Sequence, residues 1–139
     1  MSLSIRNQIP GTVVSVHPGE VMATVKVRLE GGQEITAAIT LEAAQELGLA
    51  PGSPVRVLVK STEVSLATAA VEGLSIRNQI PGTVNGITSG GAMASVKVGV
   101  VGGELTAAIT KDAVTDLGLT AGSSVVALVK STEISLATD

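Results

Sequence analysis

Polar and apolar residues alternate without interruption along Thr24-Val25-Lys26-Val27-Arg28-Leu29-Glu30, the two-residue period of a strand with one buried face. Gly31-Gly32 breaks the run, and Glu34-Ile35-Thr36-Ala37-Ala38-Ile39 returns, so the stretch predicts a hairpin. Thr40 is placed to cap a short helix over Leu41–Leu47, with Glu42 in its first turn and Gly48 as its stop. Ala50-Pro51-Gly52-Ser53 reads as a turn leading into a strand at Val55–Val59 and a last short strand at Val64–Ala67. Gly11–Val16 supplies the first strand. Five strands with a helix between the third and fourth is the order of an OB-type barrel.

The pattern then runs a second time. Leu3–Val13 returns letter for letter as Leu74–Val84, and Val59-Lys60-Ser61-Thr62-Glu63 returns as Val129-Lys130-Ser131-Thr132-Glu133. Two copies are too few for a solenoid, so the chain reads as two similar small domains in tandem. The expected fold is therefore mostly β: two OB-like five-stranded barrel domains, each with one short helix, at 1–69 and 70–139. The linker between the copies runs from Thr68 to Gly73. Repetition also filters the chemistry, because positions that differ between copies are free to drift while retained polar residues need a reason.

Composition narrows the function. The chain is 45% hydrophobic, built on Val, Ala, Ile and Leu, and contains no Phe, Trp or Tyr. Aliphatic, β-branched interiors suit strands. With 15% charged residues and a mean hydropathy of +0.49, the chain is apolar for a soluble monomer, which points to subunit contacts. Domains this small bury little of their own surface, so assembly is an expected source of stability. Zero cysteines exclude disulfides, thiolate metal sites and cysteine catalysis, and one histidine, His17, cannot form an imidazole cluster. A net charge of −3 argues against a general polyanion binder. No window reaches the roughly 18 uninterrupted apolar residues of a membrane span, and the N-terminus lacks the layout of a signal peptide, so the expected location is the cytoplasm.

Three basic pairs survive in both copies: Arg6/Arg77, Lys26/Lys97 and Lys60/Lys130. Lys26 and Lys97 occupy the polar phase of an alternating strand and read as solvated surface. Arg6 stands in Ser-Ile-Arg-Asn and Lys60 in Lys-Ser-Thr, and Ser4 and Arg6 point the same way on an extended backbone. Together Ser4, Arg6, Lys60 and Ser61 offer positive charge and many donors but few acceptors, an inventory that suits a small oxyanion. The competing reading is a surface ion pair of Arg6 with Glu63, with the serines as turn residues. Thr40 and Thr110 read first as helix N-caps; the free N–H groups of a helix start can also meet an anion. Nothing marks a nucleophile, a matched acid and base, a phosphate loop or metal-ligand spacing, so no enzyme activity is expected.

Ser-Ile-Arg-Asn-Gln-Ile-Pro-Gly-Thr-Val from Ser4 and again from Ser75, Thr-Ala-Ala-Ile-Thr in the middle of each copy, and Leu-Val-Lys-Ser-Thr-Glu near each end resemble the molbindin (Mop) family of small molybdate-binding OB-type domains. The tandem arrangement is similar to its di-Mop members. The resemblance implies cytoplasmic binding and storage of molybdate and tungstate oxyanions, with no catalysis, no cofactor and no direct protein ligand to the metal. It implies a homotrimer of tandem-domain chains with sites at domain or subunit interfaces, and neither nucleic acid nor a membrane as partner. Residue by residue, Ser4, Arg6, Lys60 and Ser61 match the family's anion-site motifs in the first copy, and Ser75, Arg77, Lys130 and Ser131 match them in the second. Thr40 and Thr110 match a residue that a neighbouring domain contributes. The family also has a second class of site on the threefold axis, for which the loops Gly19–Met22 and Gly90–Met93 are the places to look. A molybdate-sensing regulatory subunit is the alternative function; a ligand-free structural trimer and an OB-type nucleic-acid binder are weaker ones. The last fails for want of the aromatic platforms and basic groove that such domains use.

Overall fold

A computed structural model describes residues 2–139; residue 1, with which the expected first domain opens, lies outside the described residues. The first repeat forms β1 (Asn7–Pro18), β2 (Met22–Leu29), β3 (Glu34–Thr40), α1 (Leu41–Glu46), β4 (Pro54–Val59) and β5 (Ser65–Ala67). The second forms β6 (Asn78–Ser89), β7 (Met93–Val100), β8 (Gly103–Thr110), α2 (Lys111–Leu117), β9 (Ser124–Val129) and β10 (Ser135–Ala137). A single 3-10 turn, Ser61–Glu63 or Ser131–Glu133, precedes the last strand of each repeat.

The elements follow from the sequence pattern. In β2 the alternation is complete: Ala23, Val25, Val27 and Leu29 are buried while Met22, Thr24, Lys26 and Arg28 are exposed. Thr40 and Thr110 cap their helices, each hydroxyl accepting from the N–H three residues on, Ala43 and Ala113, at 3.1 Å. β1 is longer than its apolar pattern suggests because it serves two neighbours in succession. Asn7–Thr12 pairs with β4 and Gly11–Pro18 with β2, with a bulge between Val13 and Ser15. At that bulge the Val13 N–H donates to Ser53 O and Val13 O accepts from Gly52, so the turn before β4 takes over the ladder.

The last strands depart from the expected arrangement. Both sheets are antiparallel and five-stranded, in the orders β10-β4-β1-β2-β3 and β5-β9-β6-β7-β8. Thus β5 of the first repeat pairs with β9 of the second (Ser65 opposite Leu128, Ala67 opposite Val126), and β10 pairs with β4 (Ser135 opposite Leu58, Ala137 opposite Arg56). Sequence places Val64–Ala67 in the sheet of its own repeat; the structure hands it to the other. A three-residue strand carries no signal of its partner, and the preceding 3-10 turn sets its direction. The repeats are units of sequence, while each sheet draws its fifth strand from the other repeat.

Three further features lock the halves together. One continuous core contains residues of both repeats, including Val13, Val57 and Val64 with Leu105, Val129 and Ile134. Val64 and Ile134, which lead into the exchanged strands, are 2% and 4% exposed, and burying such a side chain is worth about 1.5–3 kcal/mol. The second feature is polar: Asn7 and Asn78 are the buried polar residues among those described, and each amide bonds twice across the halves. Asn7 Nδ2 donates to Thr106 O at 2.9 Å and Asn7 Oδ1 accepts from Thr106 N at 2.7 Å. Asn78 repeats this with Thr36, at 2.9 and 2.8 Å. The third is the meeting of the two hairpin tips. Gly31 and Gly102 have φ of +97° and +87°, and a methyl on Gly31 would lie 2.5 Å from Val101 Cγ1 while one on Gly102 would strike Glu30 O. These glycines are there for backbone approach, as hairpin residues.

Because each sheet is completed by the other repeat, the linker is dispensable once the chain has folded. Cleavage at a protease site engineered into the exposed segment 68–73 should leave the two fragments eluting together under native conditions with the circular dichroism of the intact chain. Separation of the fragments in native size-exclusion chromatography would contradict the exchange.

Candidate anion-binding site

Ser4-Ile5-Arg6 runs into the first residue of β1, and Lys60-Ser61 leaves β4 opposite it, since Asn7 pairs with Val59. The register of one strand pair thus sets two separated motifs face to face. Lys60 is extended (φ −65°, ψ 138°) and its carbonyl accepts from Glu63 N at 2.9 Å, closing the 3-10 turn that holds Ser61. Ser4, Ile5, Arg6, Lys60, Ser61 and Thr62 line a surface cleft of about 240 Å³. The first-repeat residues read from sequence are therefore brought together, Ser4, Arg6, Lys60 and Ser61 alike.

The polarity of this cleft is one-sided. Arg6 folds back on its own segment, Nε donating to Ser4 O at 3.2 Å and Nη2 to Leu3 O at 3.0 Å. Gln8 Nε2 donates to Ile5 O at 3.1 Å. The carbonyls of residues 3, 4 and 5 are all engaged, whereas Arg6 uses two of the five N–H groups a guanidinium carries. In the second repeat Arg77 makes the same bonds to Ser75 O (3.3 Å) and Leu74 O (2.8 Å). Gln79 there donates to Ile76 O and also ties down Val71 of the linker. The lining is thus rich in donors and cations and poor in free acceptors.

Ser61 and Ser131 carry the sharpest signal. Each Oγ is buried and has no hydrogen-bond partner, and they are the side-chain atoms among the described residues in that condition. A buried, unmated hydroxyl costs about 1–3 kcal/mol, and the same condition recurs in both repeats.

The competing ion pair is not formed. Among the described residues the salt bridges are Arg28 with Glu34 at 3.0 Å and Arg56 with Asp139 at 3.9 Å; Arg6 and Glu63 are not so joined. Lys26 and Lys97 are exposed as expected, with Lys97 Nζ donating to Thr106 Oγ1 at 2.8 Å. His17 is exposed near the end of β1.

Thr40 stands apart from its own chain's cleft. It lines a separate depression with Glu20, Val21, Leu41, Glu42 and Gln45, while Thr110 caps α2 between β8 and the helix. The loops Gly19–Met22 and Gly90–Met93 are tight turns closed by Gly19 N to Met22 O (2.7 Å) and Gly90 N to Met93 O (2.8 Å). They carry exposed apolar side chains, Val21 at 72%, Met22 at 44% and Met93 at 47%. Among the described residues no group of three or more His, Cys, Asp or Glu could hold a metal ion. Asn7 and Asn78 are not marked by charge or by a motif of their own. Their one signal was retention inside Ser-Ile-Arg-Asn, which the neighbouring arginine overshadowed.

Known proteins match this architecture over its full length. The TOBE domain family matches residues 3–66 and again 74–136. The molybdenum-pterin-binding protein MopB of Rhodobacter capsulatus is 43% identical over 136 residues, covering 96% of this chain and 50% of that protein. The molybdenum transport protein ModE of Herbaspirillum seropedicae is 37% identical over 139 residues, 99% of this chain and 52% of that protein. The chain thus spans about half the length of these curated relatives. Molybdenum-pterin-binding protein 2 of Clostridium pasteurianum corresponds to a single repeat, 42% identical over 66 residues, 48% of this chain and 97% of that protein. Among solved structures, the cytoplasmic molybdate-binding protein ModG with molybdate bound superposes with a TM-score of 0.97 at 40% identity, covering 100% of both chains. With two matched domains and this whole-chain likeness, the chain belongs to the TOBE-domain family, as a tandem member of the Mop and ModG type.

Proposed function

We propose that the protein binds molybdate, and tungstate with it, as a store of exchangeable oxyanion rather than as an enzyme. The observation that carries this reading is the pair of buried, unpartnered hydroxyls: Ser61 belongs to the cleft that Arg6 and Lys60 line, and Ser131 follows Lys130 in the matching motif of the second repeat. Molybdate at neutral pH is a tetrahedral dianion that only accepts hydrogen bonds, and Ser4, Arg6, Lys60 and Ser61 supply charge-assisted donors for it. Ser75, Arg77, Lys130 and Ser131 do the same in the second repeat. The family relationship supports molybdate as the oxyanion, since ModG is described as molybdate-binding. With no cysteine in the chain, nothing would thiolate or reduce the metal, as exchangeable storage requires. Sulfate carries the same charge, so discrimination rests on size: a pocket built for the larger tetrahedron leaves sulfate with stretched bonds.

The same reading makes the chain one subunit of a homotrimer, with Thr40 and Thr110 completing the clefts of neighbouring chains. Two observations support it: Thr40 lines a depression outside its own chain's cleft, and the apolar Val21, Met22 and Met93 are exposed at the neighbouring loops. Cytoplasmic residence is part of the proposal and follows ModG, which is described as cytoplasmic. No helix among the described residues is long and apolar enough to cross a membrane.

Isothermal calorimetry with sodium molybdate and tungstate should give tight binding, with sulfate and phosphate much weaker; the chain has no aromatic fluorescence to follow instead. Equal affinity for sulfate and molybdate would overturn the storage reading. Arg6→Ala and Arg77→Ala should each weaken one set of sites about ten- to a hundredfold, the equivalent of one charged hydrogen bond of about 1.5–3 kcal/mol, with the fold retained. Unchanged stoichiometry and affinity in both variants would make these arginines structural. Molybdate should stabilise the trimer by the linkage free energy RT ln(1 + [L]/Kd) for each filled site and so raise its melting temperature. Light scattering alongside the melts checks this, and a monomer binding molybdate at full stoichiometry would refute the shared sites.

A further inference from the structure

We propose that Asn7 and Asn78 are positioning residues for the two clefts, each fixing its own repeat's Ser-Ile-Arg segment on an edge strand of the other repeat. The inference rests on the oxyanion reading for its binding readout and on geometry for the rest. Asn7 is 3% exposed and Asn78 4%. Each amide donates to the carbonyl and accepts from the N–H of one threonine, so it docks on β8 or β3 as a further peptide unit would. Both strands are sheet edges, and Thr106 and Thr36 would otherwise present unpaired groups at a buried site.

The placement bears on the cleft because Asn7 is the residue next to Arg6. Its side chain anchors the backbone one peptide bond from the arginine whose guanidinium lines the site. The opposite wall rests on the same strand: the Ser61–Glu63 turn packs against β8, as Ser131–Glu133 packs against β3. Both walls of the first cleft are therefore referenced to a strand of the second repeat, and the matching segments Ser75–Arg77 and Lys130–Ser131 to a strand of the first. An anion site loses affinity when one wall is free to move relative to the other, since binding must then also order it. A purely structural amide would satisfy Thr106 and support the fold without influencing affinity in the folded protein.

The two roles separate by measurement. In an Arg77→Ala background, which leaves the first cleft as the one read, Asn7→Ala should raise the molybdate Kd at least about fivefold, well below the melting temperature of the variant. In an Arg6→Ala background the same change should leave the second cleft's Kd unaltered. Val27→Ala, buried in β2 and lining neither cleft, is the control for lost stability: it should lower the melting temperature without altering either Kd. Amide hydrogen exchange at Ile5 and Arg6 should quicken in Asn7→Ala and not in the control, a readout that needs no ligand. If Asn7→Ala does not fold, Asn7→Ser, which keeps a single polar contact, takes its place. An unchanged first-cleft Kd, or equal weakening of both clefts in the Asn7 variant and in Val27→Ala, overturns the proposal. If wild type binds no molybdate, the storage reading fails, and the exchange rates alone decide whether Asn7 positions the segment.

Discussion

The reciprocal exchange of β5 and β10 is the constraint on which the rest of this molecule depends, because neither repeat can complete its sheet without the other. A domain of one repeat's length has a thin core, and the exchange replaces two such cores by a single continuous one. It also fixes how the halves face each other. Once β5 lies beside β9 and β10 beside β4, the 3-10 turns before them must cross between the sheets. The hairpin tips then meet glycine to backbone, and the two asparagine amides reach the edge strands opposite.

The clefts inherit their character from this crossing. Lys60 and Ser61 sit where the chain leaves β4 for the other sheet, and the segment carrying Ser4 and Arg6 enters β1 directly opposite. At this crossing the Ser61 hydroxyl is buried and has no hydrogen-bond partner. The acceptors of the facing segment are meanwhile taken up by Arg6 and Gln8. What remains is a concave surface that can donate and hardly accept, which is the complement of a fully deprotonated oxyanion.

The repeats keep the groups of the candidate site and differ in several other places. The arginine, lysine, serine and asparagine of the clefts are kept in both. By contrast, Glu20-Val21 becomes Gly91-Ala92, and the ion-paired Arg28 becomes Gly99. The loops Gly19–Met22 and Gly90–Met93 therefore differ in charge and apolar exposure.

Much was legible in the residues themselves. Alternation in β2 and β3, the threonine caps and the glycine stops are local properties, set by side-chain direction and backbone hydrogen bonding within a few residues, so they could be read directly. Repetition supplied the candidate donors, and the register of β1 against β4 does set Ser4 and Arg6 facing Lys60 and Ser61. The partner of each last strand was not legible, because three alternating residues fit any open edge and only the direction of the preceding turn selects one. Nor was the role of Asn7 and Asn78, whose importance arises from burial against a strand 99 or 42 residues distant. Sequence alone determined which donor groups both repeats retain; the tertiary structure decided that each set is mounted on the other repeat, because strand exchange is a contact between residues far apart in the chain.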